Sequence, residues 1–371
     1  MRGRAGWRRA LAAIVGAVSL AGCGAGPGYL VRAGWSEARL LLRREPIETV
    51  LARPDLPAEF RERLELTLAA REFAQVRLGL RVGDSYTTFA EVPPDATVWV
   101  VGAARRDRLE AYEWRYPLVG RLPYRGFFAR GAADAAARGL AARDFDVDVR
   151  PAIAFSTLGW FADPLLSTAA AEPPVAMVDT ILHELWHATL FVPGAAAFNE
   201  SGASFVGGRG AIAFFCGGPR DDAKRCDEAR ARWARTRARS RLFERVASRL
   251  RRLYAARPSV AVRERARSRI VAAAADALVR RRLGDRRDLV PANNARLLGD
   301  LVYLTRLEDF DALAPTDETL RPALAALADA TRGAGEPFGA LTALLARSTL
   351  RADDSARIGP LGLLARSGEA R

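Results

Sequence analysis

Three residues in one short segment have the types and spacing of a hydrolytic metal site. His183 and His187 are four residues apart, so on a helix they share a face and can both present imidazole nitrogens to one metal ion. Glu184 follows the first histidine, where its carboxylate can take a proton from a metal-bound water and pass it to a leaving amine. The chain has only two histidines, and both lie in this motif. The pattern therefore predicts a zinc hydrolase site and disfavours two surface histidines without a role.

A third ligand is expected close by, because a catalytic zinc ion usually has three protein ligands and one open position. Pro193 and Gly194 predict the end of the first helix, and a second helix is expected to follow. Glu200, in the first turn of that helix, is the predicted ligand, although its carboxylate could equally stabilise the helix N-terminus. Asn199 is expected to cap the helix and to lie behind the ligands.

Apolar residues at helical spacing predict helices through most of the chain. They are expected at 36–52, 57–79, 131–142, 172 onward through the metal motif, 222–256, 260–284, 293–307, 318–331 and 336–347. Two short apolar or alternating segments predict strands, at 98–101 and at 145–149, the second extending toward Phe155. The expected fold class is therefore α+β, mostly helical, with a small sheet.

The N-terminus has the pattern of a secretory signal. Four arginines precede a short apolar stretch, Leu11 to Leu20, which is too short to span a bilayer as a stable anchor. Leu20-Ala21-Gly22-Cys23 resembles a bacterial lipobox, so residues 1–22 are predicted to be a lipoprotein signal peptide and Cys23 the lipid-modified terminus. We expect residues 23–371 to form one peptidase domain in the cell envelope, lipid-anchored and facing the periplasm. The alternative is an ordinary signal with an incidental cysteine.

The other two cysteines, Cys216 and Cys226, flank a turn-forming Gly217-Gly218-Pro219 segment. An exported protein meets an oxidising compartment, where these thiols can pair. The spacing slightly favours a local disulfide over two inert thiols.

The net charge of the chain is +14, carried almost entirely by arginine, with Lys224 the one lysine. We find no zinc-finger, RNA-binding or helix-turn-helix signature, so no nucleic-acid partner is expected. Solvated arginine-rich helix faces are the main interpretation, and a basic surface facing anionic lipid is the alternative.

Several segments together resemble a known family, the predicted bacterial aminopeptidases, a gluzincin-like group of exported zinc proteins. The metal motif is followed by Phe198-Asn199-Glu200-Ser201, as in that family. The other similar segments are Tyr124-Arg125-Gly126-Phe127-Phe128, Ser156-Thr157-Leu158-Gly159-Trp160-Phe161, Asp163-Pro164-Leu165-Leu166 and Asn293-Asn294-Ala295. The chain departs from the family at Arg115 and Arg121, where members often carry cysteines, and at Phe155, where tyrosine is common.

The resemblance implies a zincin-like core in which a small mixed sheet packs on the zinc helix and an extended peptide substrate pairs with its edge strand. We assign that strand to 149–157, with Arg125, Phe155, Ser156 and Thr157 as substrate-binding residues. The oxyanion formed on attack needs a donor, for which Tyr124, Tyr303 and Arg125 are the candidates.

Three functions compete at this point. The first is a lipid-anchored zinc aminopeptidase, and the second is an envelope endopeptidase or amidase with the same metal chemistry. The third is a non-catalytic zinc-binding lipoprotein, which the intact Glu184 disfavours because a structural site needs no general base. The sequence does not indicate an oligomeric state.

Overall fold

The structure is a computed structural model. It describes residues 44–92, 98–116, 120–127, 129–151, 162–218 and 220–358. The predicted signal peptide, Cys23, and the predicted substrate residues Phe155, Ser156 and Thr157 lie outside these ranges. Within them the fold is mostly helical with small sheets, which agrees with the predicted α+β class.

Twelve α-helices are named here from the described residues. In chain order they are α1 Ile47–Leu51, α2 Ala58–Phe73, α3 Arg130–Ala141, α4 Ser167–Ala170, α5 Pro174–Thr189, α6 Ala196–Phe215, α7 Ala223–Ala255, α8 Val260–Arg280, α9 Asn294–Leu304, α10 Leu307–Leu313, α11 Asp317–Thr331 and α12 Pro337–Ile358. A π-helical turn, Ala74–Leu78, continues α2, and a 3-10 turn, Arg286–Asp288, precedes α9.

Eight short strands form three sheets within the described residues. The strands are β1 Glu45–Pro46, β2 Thr88–Ala90, β3 Trp99–Arg105, β4 Trp114–Tyr116, β5 Gly120–Leu122, β6 Tyr124–Phe127, β7 Phe145–Pro151 and β8 Leu165–Leu166. The first sheet has the order β1-β2-β8 and is mixed, since β1 and β2 are antiparallel while β2 and β8 are parallel. The second, β6-β3-β7, is antiparallel throughout, and β4 pairs with β5.

Two predicted helices differ from the structure. The predicted helix at 293–307 is interrupted at Arg306, whose φ of 58° is left-handed, so that α9 and α10 are separate. In the described part of the predicted helix at 36–52, Glu45 and Pro46 form a strand instead, and only α1 is helical. Glu45 and Pro46 pair with β2 instead of continuing a helix, and helical periodicity reports neither this strand pairing nor a left-handed residue.

The main core surrounds α5 and α6, which pack along each other and against α2 and α7. α5 begins with Pro174, whose fixed φ suits the first helical position. Its apolar side chains are buried, and those with at most 1% exposure are Val175, Met177, Val178, Ile181, Leu182, Leu185 and Trp186. The helix is therefore held on most of its surface, which fixes the direction of its polar residues.

The antiparallel sheet lies between α3 and α9 and does not form the main support of α5. Residues directly opposite each other on paired strands share a face, so Val101 and Arg125 point toward α3 while Gly102 and Tyr124 point toward α9. A small mixed sheet, β1-β2-β8, is present, and the packing of a sheet strand along α5 stays a prediction, since residues 152–161 of the expected strand lie outside the described ranges. The support of α5 is helical, and the antiparallel sheet reaches the site through its β6 edge.

Buried polar contacts fasten this sheet to the C-terminal helices. Asp146 of β7 accepts from the backbone N–H of Asn294 at 2.7 Å and pairs with the buried guanidinium of Arg267. The Asn294 side chain donates to the carbonyl of Arg105 at 2.8 Å. Asp146, Arg267 and Asn294 are buried, so their contacts replace the hydrogen bonds to water that burial removes. The segment Asn293-Asn294-Ala295 therefore has a structural role here.

Cys216 and Cys226 form a disulfide, with the two Cα atoms 4.9 Å apart. The bond links the residue after α6 to the first turn of α7. None of the helices in the described ranges has a stretch long and apolar enough to cross a bilayer.

Candidate metal centre

Three potential ligand atoms converge between α5 and α6. The Nε2 atoms of His183 and His187 are 3.3 Å apart, and Glu200 Oε2 lies 3.3 Å from the first and 3.5 Å from the second. The side chains of His183, His187 and Glu200 are 15%, 3% and 11% exposed. The structure therefore forms one cluster of two imidazoles and a carboxylate that could bind a metal ion.

The spacing of these atoms fits a small divalent cation. A tetrahedral ion with ligand distances of about 2.0–2.2 Å holds its ligand atoms about 3.3–3.5 Å apart. Two neutral imidazoles facing each other through lone pairs, with a carboxylate between them, repel without a cation or a proton among them. Imidazole nitrogen with carboxylate oxygen is a donor set that suits zinc.

Glu200 and His183 shift each other's pKa within the cluster. Burial alone would raise the pKa of Glu200, but hydrogen bonds with His183 and His187 lower it well below its ordinary value. Burial lowers the pKa of His183, yet the hydrogen bond to Glu200 and the nearby Glu184 carboxylate outweigh this and raise it. In the absence of a metal, the carboxylate stays ionised and favours a positive charge between the imidazoles.

Glu200 reaches the histidines because α6 packs unusually close to α5. A Cβ atom on Gly207 would lie 2.3 Å from Asp179 Oδ1 and 2.6 Å from the Asp179 carbonyl oxygen, both on α5. At Gly210 a Cβ atom would lie 2.7 Å from the Leu182 side chain. Since only glycine permits these approaches, the glycines of α6 set the separation of the two helices that carry the ligands.

Asn199 braces the loop between the two helices and does not cap α6. Its side chain accepts from the backbone N–H of Val192 at 2.9 Å and donates to the carbonyl of Val192 at 2.8 Å. The predicted cap is wrong because α6 begins at Ala196, with Ala195 as its N-cap residue. Glu200 consequently lies in the second turn of α6 and not in the first, so stabilisation of the helix terminus is a minor role for it.

Glu184 lies beside the cluster, and one of its carboxylate oxygens is unpaired within the described ranges. Its Oε2 atom is buried and has no hydrogen-bond partner in the part of the chain that the structure describes. An unpaired buried carboxylate oxygen is costly in a purely structural setting. It is the arrangement expected of a group that binds a substrate or a water molecule during a reaction.

Two of the predicted oxyanion donors lie at the cluster. The Tyr124 hydroxyl, from β6, donates to Glu200 Oε1 at 3.5 Å. The ring of Tyr303, from α9, stacks on His183 with centroids 6.1 Å apart and is 38% exposed as a residue. Burial and the Glu200 carboxylate raise the pKa of both tyrosines, so both hydroxyls are protonated donors at neutral pH.

Arg125 lies on the opposite face of the sheet from Tyr124. Adjacent residues of a strand point to opposite faces, and the Arg125 guanidinium lies over the Phe127 ring at 5.2 Å, on the α3 side. The structure therefore does not bring Arg125 to the ligand cluster. The predicted substrate strand at 149–157 is described only to Pro151, where β7 forms one edge of the sheet. The other edge, β6, is the one that carries Tyr124.

One residue near the site was missed by sequence reasoning. Tyr86 is 6% exposed, and its backbone has a left-handed φ of 61°, an uncommon conformation for a bulky residue. Its N–H donates to the carbonyl of Asp163 at 2.7 Å. Burial, followed by the charges of Glu184 and Asp163, raises the pKa of Tyr86. It belongs to no motif and lies far from Glu184 in sequence, so no sequence signal identified it.

Comparison with known proteins decides the family. A family model described as "Putative aminopeptidase" matches residues 28–326, most of the chain. The chain belongs to this family. The match includes α5, α6, β6 and α9, the elements that carry every described residue of the site. No curated protein and no solved structure matches the chain. Membership in the aminopeptidase family supports hydrolysis of a peptide substrate.

Proposed function

We propose that this aminopeptidase family member is a zinc-dependent peptidase of gluzincin-like arrangement, with His183, His187 and Glu200 as the metal ligands. The observation that carries the proposal is the mutual spacing of three ligand atoms at 3.3–3.5 Å beside a carboxylate, Glu184, that has an unpaired oxygen. A structural metal site needs the three converging ligand atoms, but it does not need the unpaired carboxylate oxygen of Glu184. The family assignment supports peptide hydrolysis independently of the geometry.

Each residue of the site has a separate role in the proposed reaction. A zinc ion held by the cluster would polarise the scissile carbonyl and lower the pKa of a water molecule. Glu184 accepts a proton from the attacking water and returns it to the leaving nitrogen, which balances the charge of the step. The ionised Glu200 keeps its position through the two histidines, and Asn199 holds the loop from which α6 starts.

Tyr124 is the stronger candidate for stabilising the oxyanion. Its hydroxyl is protonated and lies at the edge of the cluster, within 3.5 Å of Glu200. A neutral phenol donates one hydrogen bond and can turn from Glu200 toward a developing negative charge. Tyr303 stacks on His183 and supports that ring.

We also propose that the enzyme is a lipoprotein of the bacterial cell envelope, anchored at Cys23 and facing the periplasm. Basic residues, a short apolar stretch and the lipobox-like Leu20-Ala21-Gly22-Cys23 support this. The disulfide between Cys216 and Cys226 agrees with an oxidising compartment. Mass spectrometry of the mature N-terminus tests it, and an unmodified Cys23 would contradict it.

The decisive experiment measures metal content and hydrolysis in the same preparations of the full chain. We expect about one zinc per chain and zinc-dependent release of the N-terminal residue from peptides and amino-acid amides. N-acetylated peptides are the control, because an aminopeptidase requires a free amine. Cleavage of acetylated peptides would favour an endopeptidase or amidase, and a chain that binds no metal would contradict the proposal.

A further inference from the structure

The basic charge of the chain is concentrated in one helical hairpin. Residues 223–282, which contain α7 and α8, have 20 Lys or Arg and five Asp or Glu, a net charge of +15 against +14 for the whole chain. The remainder of the protein is thus close to neutral. A general preference for arginine in the source would spread these charges along the sequence. Their location calls for an explanation within the structure.

The arginines of α7 that face the protein have carboxylate partners. Arg239 pairs with Asp288 at 2.7 Å and with Asp300 at 3.2 Å, and Arg237 and Arg241 pair with acids of α10. These contacts fasten α7 to the C-terminal helices. Other arginines of the hairpin lack such a carboxylate partner among the described residues and form a second group, on its outer side.

A groove between α7 and α8 is lined by arginines of this second group. Arg245, Arg249 and Arg281 are exposed, and none lies within 4 Å of a carboxylate oxygen in the described residues. The apolar floor between them includes Val246, Ile270 and Ala274. Three exposed guanidinium groups without a carboxylate partner in the described part of the chain form a positive patch that matches the anionic headgroups of a lipid surface.

Exposed apolar side chains lie on the same hairpin. Val260, Val262 and Val279 of α8 are 64%, 45% and 49% exposed. They account for three of the five large hydrophobic residues that are exposed within the described ranges. At about 100° per residue, Val279 lies on the side of α8 opposite to Ile270, so these valines and the groove arginines do not share one face, and the attraction to lipid rests on the arginines.

We propose that the outer face of the α7–α8 hairpin docks on an anionic phospholipid surface, with Arg245, Arg249 and Arg281 binding headgroup phosphates. The proposal concerns a surface separate from the metal cluster and does not depend on catalysis. A basic residue near an anionic bilayer contributes a factor of about five to binding, so the three arginines together account for about a hundredfold. The attraction weakens with salt, because exposed charges are screened.

The test uses the full chain with Cys23→Ala, so that no acyl chain can be attached, and measures co-sedimentation with vesicles. Vesicles of phosphatidylcholine alone are compared with vesicles in which a third of the lipid is phosphatidylglycerol. We expect binding to the second at low salt and little to the first. Arg245→Gln/Arg249→Gln/Arg281→Gln should reduce binding about a hundredfold. The corresponding triple lysine variant should keep most of it.

A matched control removes the same charge elsewhere. Arg77, Arg115 and Arg138 are exposed, lie outside the hairpin and have no carboxylate within 4 Å among the described residues. Changing these three to glutamine should leave vesicle binding within about twofold, as expected if location and not net charge decides. Melting curves of all variants show whether they fold.

Three outcomes would overturn the proposal. The first is equal binding of the wild type to neutral and anionic vesicles. The second is an equal loss in the hairpin and control variants, which would make net charge the cause. The third is hairpin-dependent binding of a single-stranded DNA oligonucleotide without binding of anionic vesicles, which would make the hairpin a nucleic-acid surface.

Discussion

The Ser201 hydroxyl donates to the carbonyl oxygen of Val302 at 3.0 Å and accepts from the backbone N–H of Thr305 at 2.9 Å. Ser201 is fully buried and follows Glu200, while Val302 precedes Tyr303. One hydroxyl therefore joins the helix that carries the predicted third ligand to the helix that carries the aromatic ring on His183. The relative positions of Glu200 and Tyr303 depend on this contact.

Ser201→Ala should weaken both the fold and the site. It leaves a buried carbonyl and a buried N–H without their partner, which costs about 1–3 kcal/mol of unfolding free energy. Denaturant unfolding measures this cost, and peptide hydrolysis should fall in folded protein. Ser348→Ala is the control, because that exposed hydroxyl donates only to the carbonyl of Leu344 in its own helix. An unchanged unfolding free energy in Ser201→Ala would contradict the bridging role.

Glu184→Gln separates catalysis from metal binding. Since Glu184 is predicted to transfer protons and not to coordinate, the variant should keep its zinc and its melting temperature. Hydrolysis should fall by at least about 10²-fold, the usual contribution of a general base. Glu172→Gln, an exposed change just before α5, is the matched control. Full activity in Glu184→Gln on a zinc-dependent substrate would disprove the assigned role.

Loss of any ligand should reduce zinc content. His183→Ala, His187→Ala and Glu200→Ala each remove one of the three converging atoms. Because metal binding adds to the free energy of folding, added zinc should raise the melting temperature of the wild type but not of these variants. Metal analysis and thermal melts with and without a chelator measure both effects. If Glu200→Ala bound zinc as tightly as the wild type, the third ligand would have to be another residue.

Tyr124→Phe should lower the catalytic rate while zinc remains bound. Removal of one oxyanion donor costs about 10²–10³-fold in kcat, whereas a purely structural tyrosine would affect mainly stability. The pKa of Tyr124 is raised by burial and by Glu200. The phenol therefore stays protonated above its ordinary pKa, and the pH–rate profile should show no loss from its ionisation up to about pH 10. Tyr112→Phe, in the separate core beneath α3, provides the control.

Gly207→Ala should force α5 and α6 apart. The new Cβ atom would overlap Asp179, and such overpacking costs about 1–3 kcal/mol. Zinc affinity should fall as well, since Glu200 moves with α6. Gly139→Ala in α3 is the matched change, because nothing lies within 4 Å of its Cβ position. That control should stabilise the protein by about 0.4–1 kcal/mol, so the two substitutions are expected to shift the melting temperature in opposite directions.

The parts of the site that were predictable are those encoded locally. Helical spacing identifies α5, and the presence of both histidines in one motif identifies the two potential ligands that α5 brings to the cluster. Glu200 was found by combining the need for a third ligand with the turn at Pro193-Gly194. The role of Asn199 could not be read in this way, because the start of α6 at Ala196 is fixed by packing and not by a capping residue.

Long-range contacts account for what the sequence did not show. Tyr86 is hydrogen-bonded to the carbonyl of Asp163, and the charge of Glu184 contributes to its raised pKa, a long-range relationship that no periodicity reports. That Tyr124, and not Arg125, faces α9 follows only once the pairing of β6 with β3 is known. Likewise, the sequence reveals a small sheet but not that α9 lies between this sheet and the metal-site helices.

The disulfide between Cys216 and Cys226 joins the helix bearing Glu200 to the first helix of the basic hairpin. A covalent link at that point transmits the orientation of one to the other. If the hairpin rests on a bilayer, the cluster of His183, His187 and Glu200 is held at a constant height and tilt above it. The protein would then select peptide substrates by the distance of the cleaved bond from the membrane as well as by their side chains.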